Sequence, residues 1–232
     1  MHGKEMILSA EYGNTWEKQT AEDGAFVRKK TSFRNWCNAD SSAEYPAETG
    51  RYHLYVSYAC PWAHRTLLTR KLKGLEKAIS VDVVDPILPR SGWSFGDEVD
   101  GATGDRVNGF DDLRDAYFAS DPDYDGAITV PVFWDKKKGC IVNNESAEII
   151  RILNSEFQAF AEHPDLDLYP AELVDQIDEV NAWVYRSINN GVYRCGFAKS
   201  QKAYSRAFAE LFDALDRVED CLLYTSPSPR DS

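Results

Sequence analysis

The stretch Tyr52-His-Leu-Tyr-Val-Ser-Tyr-Ala-Cys60-Pro-Trp-Ala-His-Arg-Thr-Leu-Leu68 decides the fold. Its first half alternates. Tyr52, Leu54 and Val56 take turns with His53, Tyr55 and Ser57, the period-two pattern of a strand. Pro61 then suits the first position of a helix, where its missing N–H costs nothing. Residues 61–73 read as that helix, with Leu67, Leu68 and Leu72 on one side. Lys71 and Lys73 stand in its last turn and Gly74 closes it. Ile79, Val81, Val83 and Val84 predict a second strand, so the region is a βαβ unit with parallel strands.

Downstream, residues 85–126 make a long connection. Residues 96–126 hold ten Asp or Glu against Arg106 and Arg114, a run that ordinarily marks a solvated surface loop. A short helix around 110–119 fits inside it. Thr129-Val130-Pro131-Val132-Phe133-Trp134 predicts a strand with a proline at its entrance, Asp135-Lys-Lys-Lys-Gly139 a turn, and Cys140-Ile-Val142 the returning strand. Asn144 is the expected N-cap of a helix with Glu145 in its first turn and Ile149, Ile150, Ile152 and Leu153 as its apolar stripe. The order βαβ, then ββα, with a cysteine at the first strand–helix junction is that of the thioredoxin-like fold, here over residues 51–154.

The remainder divides by pattern. Residues 1–50 read as an N-terminal extension wrapping the domain behind it, and 155–170 as a linker with His163-Pro164 and Tyr169-Pro170. Two helices follow, about 171–190 and 200–220. Their apolar positions recur at three and four residues: Leu173, Ile177, Val180, Trp183 and Val184, then Phe208, Leu211, Phe212, Leu215 and Val218. The helical domain is thus expected over 171–221. From residue 222 Ser and Pro dominate, marking an atypical tail.

Composition bounds the chemistry. The chain has 232 residues, 43% hydrophobic and 28% charged, enough for a core and against wholesale disorder. A formal net charge of −12 argues against nucleic acid or an anionic membrane as partner. The sequence has no run of membrane-spanning length and no apolar signal core at Met1-His-Gly-Lys-Glu5, so the expected compartment is the cytoplasm. Cys37, Cys60, Cys140, Cys195 and Cys221 are odd in number, widely spaced and without a CxxC, against a disulfide framework or a zinc cluster. No metal is expected.

Cys60 is the residue that chemistry points to. Its sulfur would face the unsatisfied N–H groups and positive dipole end of the helix behind it, which favours thiolate over thiol. His64 and Arg65 could add positive field. Position 63 is Ala, so a resolving thiol must come from outside, and glutathione is the obvious cytosolic donor. Pro131 can adopt the cis form and leave the backbone before it to pair with a peptide-like ligand. Glu145-Ser146 at a helix start offers N–H donors to a carboxylate.

Gly50-Arg-Tyr-His-Leu-Tyr-Val-Ser-Tyr-Ala-Cys60-Pro-Trp-Ala-His-Arg-Thr-Leu resembles the xi-class glutathione transferases, the glutathionyl-hydroquinone reductases. So do Gly24-Ala-Phe-Val-Arg28, Phe33-Arg-Asn-Trp36, Val130-Pro-Val-Phe-Trp-Asp135, Ile141-Val-Asn-Asn-Glu-Ser-Ala-Glu-Ile-Ile-Arg151 and Gly191-Val-Tyr-Arg-Cys-Gly-Phe-Ala198. The resemblance covers roughly residues 20–220. It implies that Cys60 attacks the glutathione sulfur of a glutathionyl-hydroquinone, that a second glutathione resolves the mixed disulfide, and that Tyr193 protonates the leaving carbon. It also implies that glutathione, as co-substrate, is held by Trp93, the Ala127-Ile128-Thr129-Val130 backbone, Glu145 and Ser146.

Two departures stand out. The family usually has Arg three residues before the valine, where this chain has Ala127, so weaker glutathione binding is expected. Family members also continue past Arg217-Val218-Glu219 through helices that carry much of the contact of their homodimer. The stretch Cys221-Leu-Leu-Tyr-Thr-Ser-Pro-Ser-Pro-Arg-Asp-Ser232 reads instead as a truncation or assembly artefact, leaving an apolar helical face unfilled.

Other readings fail on particular residues. Asp121-Pro-Asp-Tyr-Asp125-Gly126 begins like a calcium loop, but Val132 stands where a bidentate Glu is required. No cysteine-protease signature surrounds Cys60, and Lys136, Lys137 and Lys138 belong to a hairpin turn. The rivals that remain are an omega-like thioltransferase or dehydroascorbate reductase using the same cysteine, and a non-catalytic glutathione-binding protein.

Overall fold

The computed structural model describes residues 20–28, 30–87, 92–96 and 98–225, the last three by backbone alone. Among these, residues 31–169 form one compact unit, and residues 20–30 with 170–225 form another. Residues 31–50 belong to the first unit and 20–30 to the second, while residues 1–19 lie outside the described residues.

The first unit is built on a four-stranded sheet in the order β2-β1-β3-β4. Strand β1, Tyr52–Val56, is buried along its whole length and pairs in parallel with β2, Ile79–Val83, in the register Tyr52 to Ile79. On its other side β1 pairs antiparallel with β3, Val132–Asp135, which pairs antiparallel with β4, Cys140–Asn143. Helix α1, Pro61–Leu72, makes the crossover between β1 and β2. Helix α2, Leu113–Ser120, lies in the long connection, and α3, Ser146–Ser155, follows β4. This is the thioredoxin-like order that the sequence pattern predicts. The strand expected from Thr129 begins only at Val132, after Pro131.

One face of the sheet carries Tyr52 and Phe133, stacked with ring centroids 4.8 Å apart and meeting Phe157 just after α3. The opposite face carries Tyr55 and Trp134, which meet Phe95 and Phe110 from the connection. Helix α1 turns a different side inward from the one its leucines suggest. Trp62, Ala63, Thr66 and Thr69 are buried, while Leu68 and Leu72 are 49% and 41% exposed. The threonines can face inward because their hydroxyls donate to the helix carbonyls of Ala63 and Arg65, at 2.7 and 2.9 Å. Gly74 closes α1 at φ +66°, where a Cβ would also stand 2.5 Å from that of Glu162.

The acidic connection is not simply a solvated loop. Asp105 accepts the Tyr55 hydroxyl at 3.0 Å and the N–H groups of Val107, Asn108 and Phe110. Buried Asp82 accepts the N–H and side chain of Arg106. Burial works to raise the Asp82 carboxyl, and its bonds to His53 and Arg106 outweigh that and hold it below the ordinary aspartate value.

In the second unit α4, Val174–Val184, runs through a π-helical turn, Tyr185–Asn189, into α5, Gly191–Gly196, a short helix between the two that periodicity predicts. Helix α6 spans Gln201–Thr225. It continues past residue 222, where composition marks off the tail; residues 226–232 lie outside the described residues. Gly191 allows α5 to approach α6, since a Cβ there would sit 3.3 Å from Leu211. The buried stripe of α6 is Ala203, Ala207, Leu211 and Ala214, whereas Phe208, Phe212 and Leu215 are exposed. Among the described residues no disulfide joins the five cysteines, and no helix is long and apolar enough to cross a membrane.

Candidate active site

Strand β1 ends in a turn made by Ser57, whose carbonyl accepts the Cys60 N–H at 3.1 Å and whose hydroxyl accepts that of Ala59 at 3.3 Å. The turn aims the chain into α1. Cys60 is the N-cap, in extended conformation at φ −104° and ψ 114°, and Pro61 opens the helix. The Cys60 carbonyl takes the His64 N–H at 3.0 Å. Its half-buried side chain therefore stands at the helix end whose dipole favours an anion, with no acidic residue in the first turn to oppose it. The Cys60 thiol approaches the Val130 carbonyl at 3.6 Å.

That carbonyl belongs to the segment 127–131, in which the Val130–Pro131 peptide is cis. The segment hangs from two tyrosines of the acidic connection. The fully buried Tyr117 of α2 donates its hydroxyl to the Thr129 carbonyl at 2.8 Å and accepts the Thr129 N–H at 3.1 Å. The same oxygen accepts the Asn144 amide at 3.1 Å. Burial pushes the Tyr117 phenol above its ordinary value, so it stays a neutral donor. Tyr124 donates to the Ala127 carbonyl at 2.9 Å. Sequence reasoning passed over both tyrosines, which in the sequence look like ordinary core aromatics.

Across from the cysteine, α3 begins. Its N-cap is Glu145, whose carboxylate accepts the Ala147 N–H at 3.2 Å, and not Asn144 as the local cap rule predicts. Asn144 is buried and spent on Tyr117. Ser146 is 3% exposed. Its hydroxyl oxygen accepts two N–H bonds from Arg65 of α1, from Nε at 3.0 Å and Nη2 at 2.7 Å. Arg65 also lies 3.7 Å from the Glu145 carboxylate and over the Trp62 ring. A guanidinium thus joins the helix behind Cys60 to the start of α3. The Thr31 hydroxyl donates to Glu145 at 3.4 Å.

Cys60 with Val130, and Arg65 with Glu145 and Ser146, are accordingly joined by direct contacts within one unit. Ile128 packs half-buried against the core. Trp93 also packs there half-buried, and its carbonyl accepts the first N–H of α2 at 2.9 Å. Tyr193 is carried by α5 in the other unit. There it stacks on Phe197 with centroids 6.3 Å apart, and the Arg28 guanidinium lies 5.2 Å from its ring. Among the described residues no group of three His, Cys, Asp or Glu is arranged to hold a metal, and the Asp121 turn instead caps α2.

A profile of the glutathione S-transferase N-terminal domain matches residues 59–156, from the residue before Cys60 to the end of α3. Glutathionyl-hydroquinone reductase YqjG of Escherichia coli strain K12 is 48% identical over 222 residues, covering 93% of this chain and 67% of its own. The crystal structure of the xi glutathione S-transferase of Phanerochaete chrysosporium superposes with a TM-score of 0.84 at 53% identity, over 88% of this chain and 65% of that one. The glutathione-bound structure of YqjG superposes with a TM-score of 0.77 at 51% identity, over 86% and 65%. The chain spans about two thirds of the length of these relatives.

Proposed function

The chain belongs to the xi-class glutathione transferases, and from that premise we propose that it reduces glutathionyl-hydroquinones to hydroquinones at the expense of glutathione. Cys60 is the nucleophile. Its thiolate attacks the glutathione sulfur of the conjugate, the carbon–sulfur bond breaks, and the electron pair left on the ring carbon takes a proton from Tyr193. A Cys60–glutathione disulfide remains. The thiolate of a second glutathione attacks it, releasing oxidised glutathione and regenerating the Cys60 thiolate. The observation that carries this reading is the position of Cys60, N-cap of a helix opened by proline, beside the Val130 carbonyl of a cis-proline segment.

The backbone at Ala127, Ile128, Thr129 and Val130 would run along the peptide part of glutathione, with Trp93 against it and Glu145 and Ser146 at its γ-glutamyl end. Glutathione and glutathionyl-quinone conjugates are then the partners and the cytoplasm is the compartment, while the homodimer is the assembly of the full-length family members.

The test is turnover of glutathionyl-menadiol by the full chain and by Cys60→Ser. The wild type should form menadiol and, when starved of free glutathione, accumulate a Cys60–glutathione adduct seen by intact mass. Cys60→Ser should do neither. Turnover of a β-hydroxyethyl disulfide substrate in place of the conjugate would assign the same cysteine to thioltransferase chemistry. Glutathione binding with no turnover of either would make the chain a binding module.

A further inference from the structure

Ser146 has a hydroxyl whose polarity is set by its neighbour. Both lone pairs of its oxygen are occupied by Arg65, through Nε at 3.0 Å and Nη2 at 2.7 Å. The hydroxyl proton is left to donate, and among the described residues no acceptor receives it, although the side chain is 3% exposed. One residue earlier Glu145 is the opposite, an acceptor held by Thr31 and the Ala147 N–H. At the start of a ten-residue helix a hydroxyl donor and a carboxylate acceptor therefore stand side by side, and one guanidinium touches both.

We propose that Arg65 is the positioning residue that makes this subsite selective for the zwitterionic head of a γ-glutamyl group. It holds Ser146 as a donor toward the α-carboxylate and leaves the Glu145 carboxylate to accept from the α-ammonium. This rests on the glutathione reading of the site and adds a residue and a specificity to it. Arg65 does not touch the reacting sulfur. It acts through Ser146, and the fork geometry of a guanidinium is what the arrangement requires. A lysine ammonium cannot deliver two N–H bonds to one oxygen at those fixed angles. The Trp62 ring, 5.1 Å below the guanidinium, keeps the fork from swinging away.

The experiment compares the binding of glutathione and of cysteinylglycine, which lacks the γ-glutamyl head, by calorimetry on the full chain. Wild type should prefer glutathione. Arg65→Gln should lose about tenfold or more of that preference, the worth of a charge-assisted hydrogen bond, while its affinity for cysteinylglycine stays put. Ser146→Ala should lose as much, and the double variant no more than either alone, because the two residues act as one unit. Arg65→Lys, which keeps the charge, should fall with Arg65→Gln. A preference unchanged in Arg65→Gln, or both ligands weakened alike, would overturn the proposal. Because the readout is binding, a chain that shows this selectivity but does not turn over glutathionyl-menadiol overturns the hydroquinone-reductase reading and upholds this one. A wild type that binds neither ligand overturns both.

Discussion

Tyr117→Phe isolates the pillar under the segment 127–131. The ring stays, so no cavity opens and only one oxygen is lost. That oxygen bonds the Thr129 carbonyl at 2.8 Å, the Thr129 N–H at 3.1 Å and the Asn144 amide at 3.1 Å, and lies 3.2 Å from the Thr129 hydroxyl. Asn144 is 3% exposed, so its amide loses a partner that water cannot replace. A net hydrogen bond is worth about 1 kcal/mol, and an orphaned buried donor costs about 1–3 kcal/mol. Three lost bonds with at least one orphan give a destabilisation of about 3 kcal/mol. With a urea slope of about 2 kcal/mol/M, the midpoint should fall by about 1.5 M at an unchanged slope. The same change frees the backbone before the cis Val130–Pro131 bond, so the Michaelis constant for glutathione should rise about tenfold, or ~1.4 kcal/mol. Urea unfolding followed by near-ultraviolet circular dichroism reads the first effect, and steady-state kinetics the second. A Phe variant within ~0.5 kcal/mol of wild type would refute the pillar, because no repacking can satisfy those groups from the phenyl ring.

Lys73 is wholly buried, and its ammonium donates to Gln158 at 3.1 Å and to the Leu166 carbonyl at 2.7 Å. Burial lowers its pKa against the pull of Asp167 and Asp165. Lys73→Met should cost about 2 kcal/mol in urea unfolding, less than the summed bonds, because the desolvation penalty of the ammonium is returned. The Glu148 carboxyl is held below its ordinary value of 4.5, chiefly by its bond to Arg34. A depressed folded value means the unfolded chain binds the proton more readily, so this stability is present above pH 4.5 and lost as pH falls through the folded value; Glu148→Gln should flatten the acid limb of the stability profile in that window. Ala127→Arg should lower the Michaelis constant for glutathione severalfold, and an unchanged constant would show that the backbone of that segment suffices.

The sheet and its first crossover were legible because their signals are local. Strand alternation at Tyr52–Val56, Pro61 at the helix start and Gly74 at its close each act within a few residues. The placement of Cys60 was legible for the same reason, since it follows from the strand end before it and the proline after it. What escaped depends on partners remote in sequence. Arg65 meets Ser146 across 81 positions, and nothing near Arg65 announces a hydroxyl. Asn144 obeys the cap preference in isolation, yet a buried phenol 27 residues away claims its amide and leaves the cap to Glu145. The inward face of α1 does not follow from its leucines, because Thr66 and Thr69 pass as core residues once their hydroxyls are satisfied on their own helix.

The acidic connection shows how such remote use alters the meaning of composition. Counted as charge, residues 96–126 look like solvated surface. Several of those carboxylates instead serve the backbone. Asp105 gathers three N–H groups into a turn beneath Tyr55, and Asp115 accepts the Asp112 N–H at 3.2 Å at the start of α2. Acids at a helix N-terminus favour the helix and fix where it starts. For α2 that start determines which residue reaches the sheet, and one turn later the residue is Tyr117. The Ser120 hydroxyl then ties the far end of α2 to β4, accepting the Ile141 N–H at 2.7 Å. A shift of one residue in the helix start would turn its face by about 100° and carry the phenol away from Thr129. The acids of this connection thus set the register that holds the Val130 carbonyl beside Cys60.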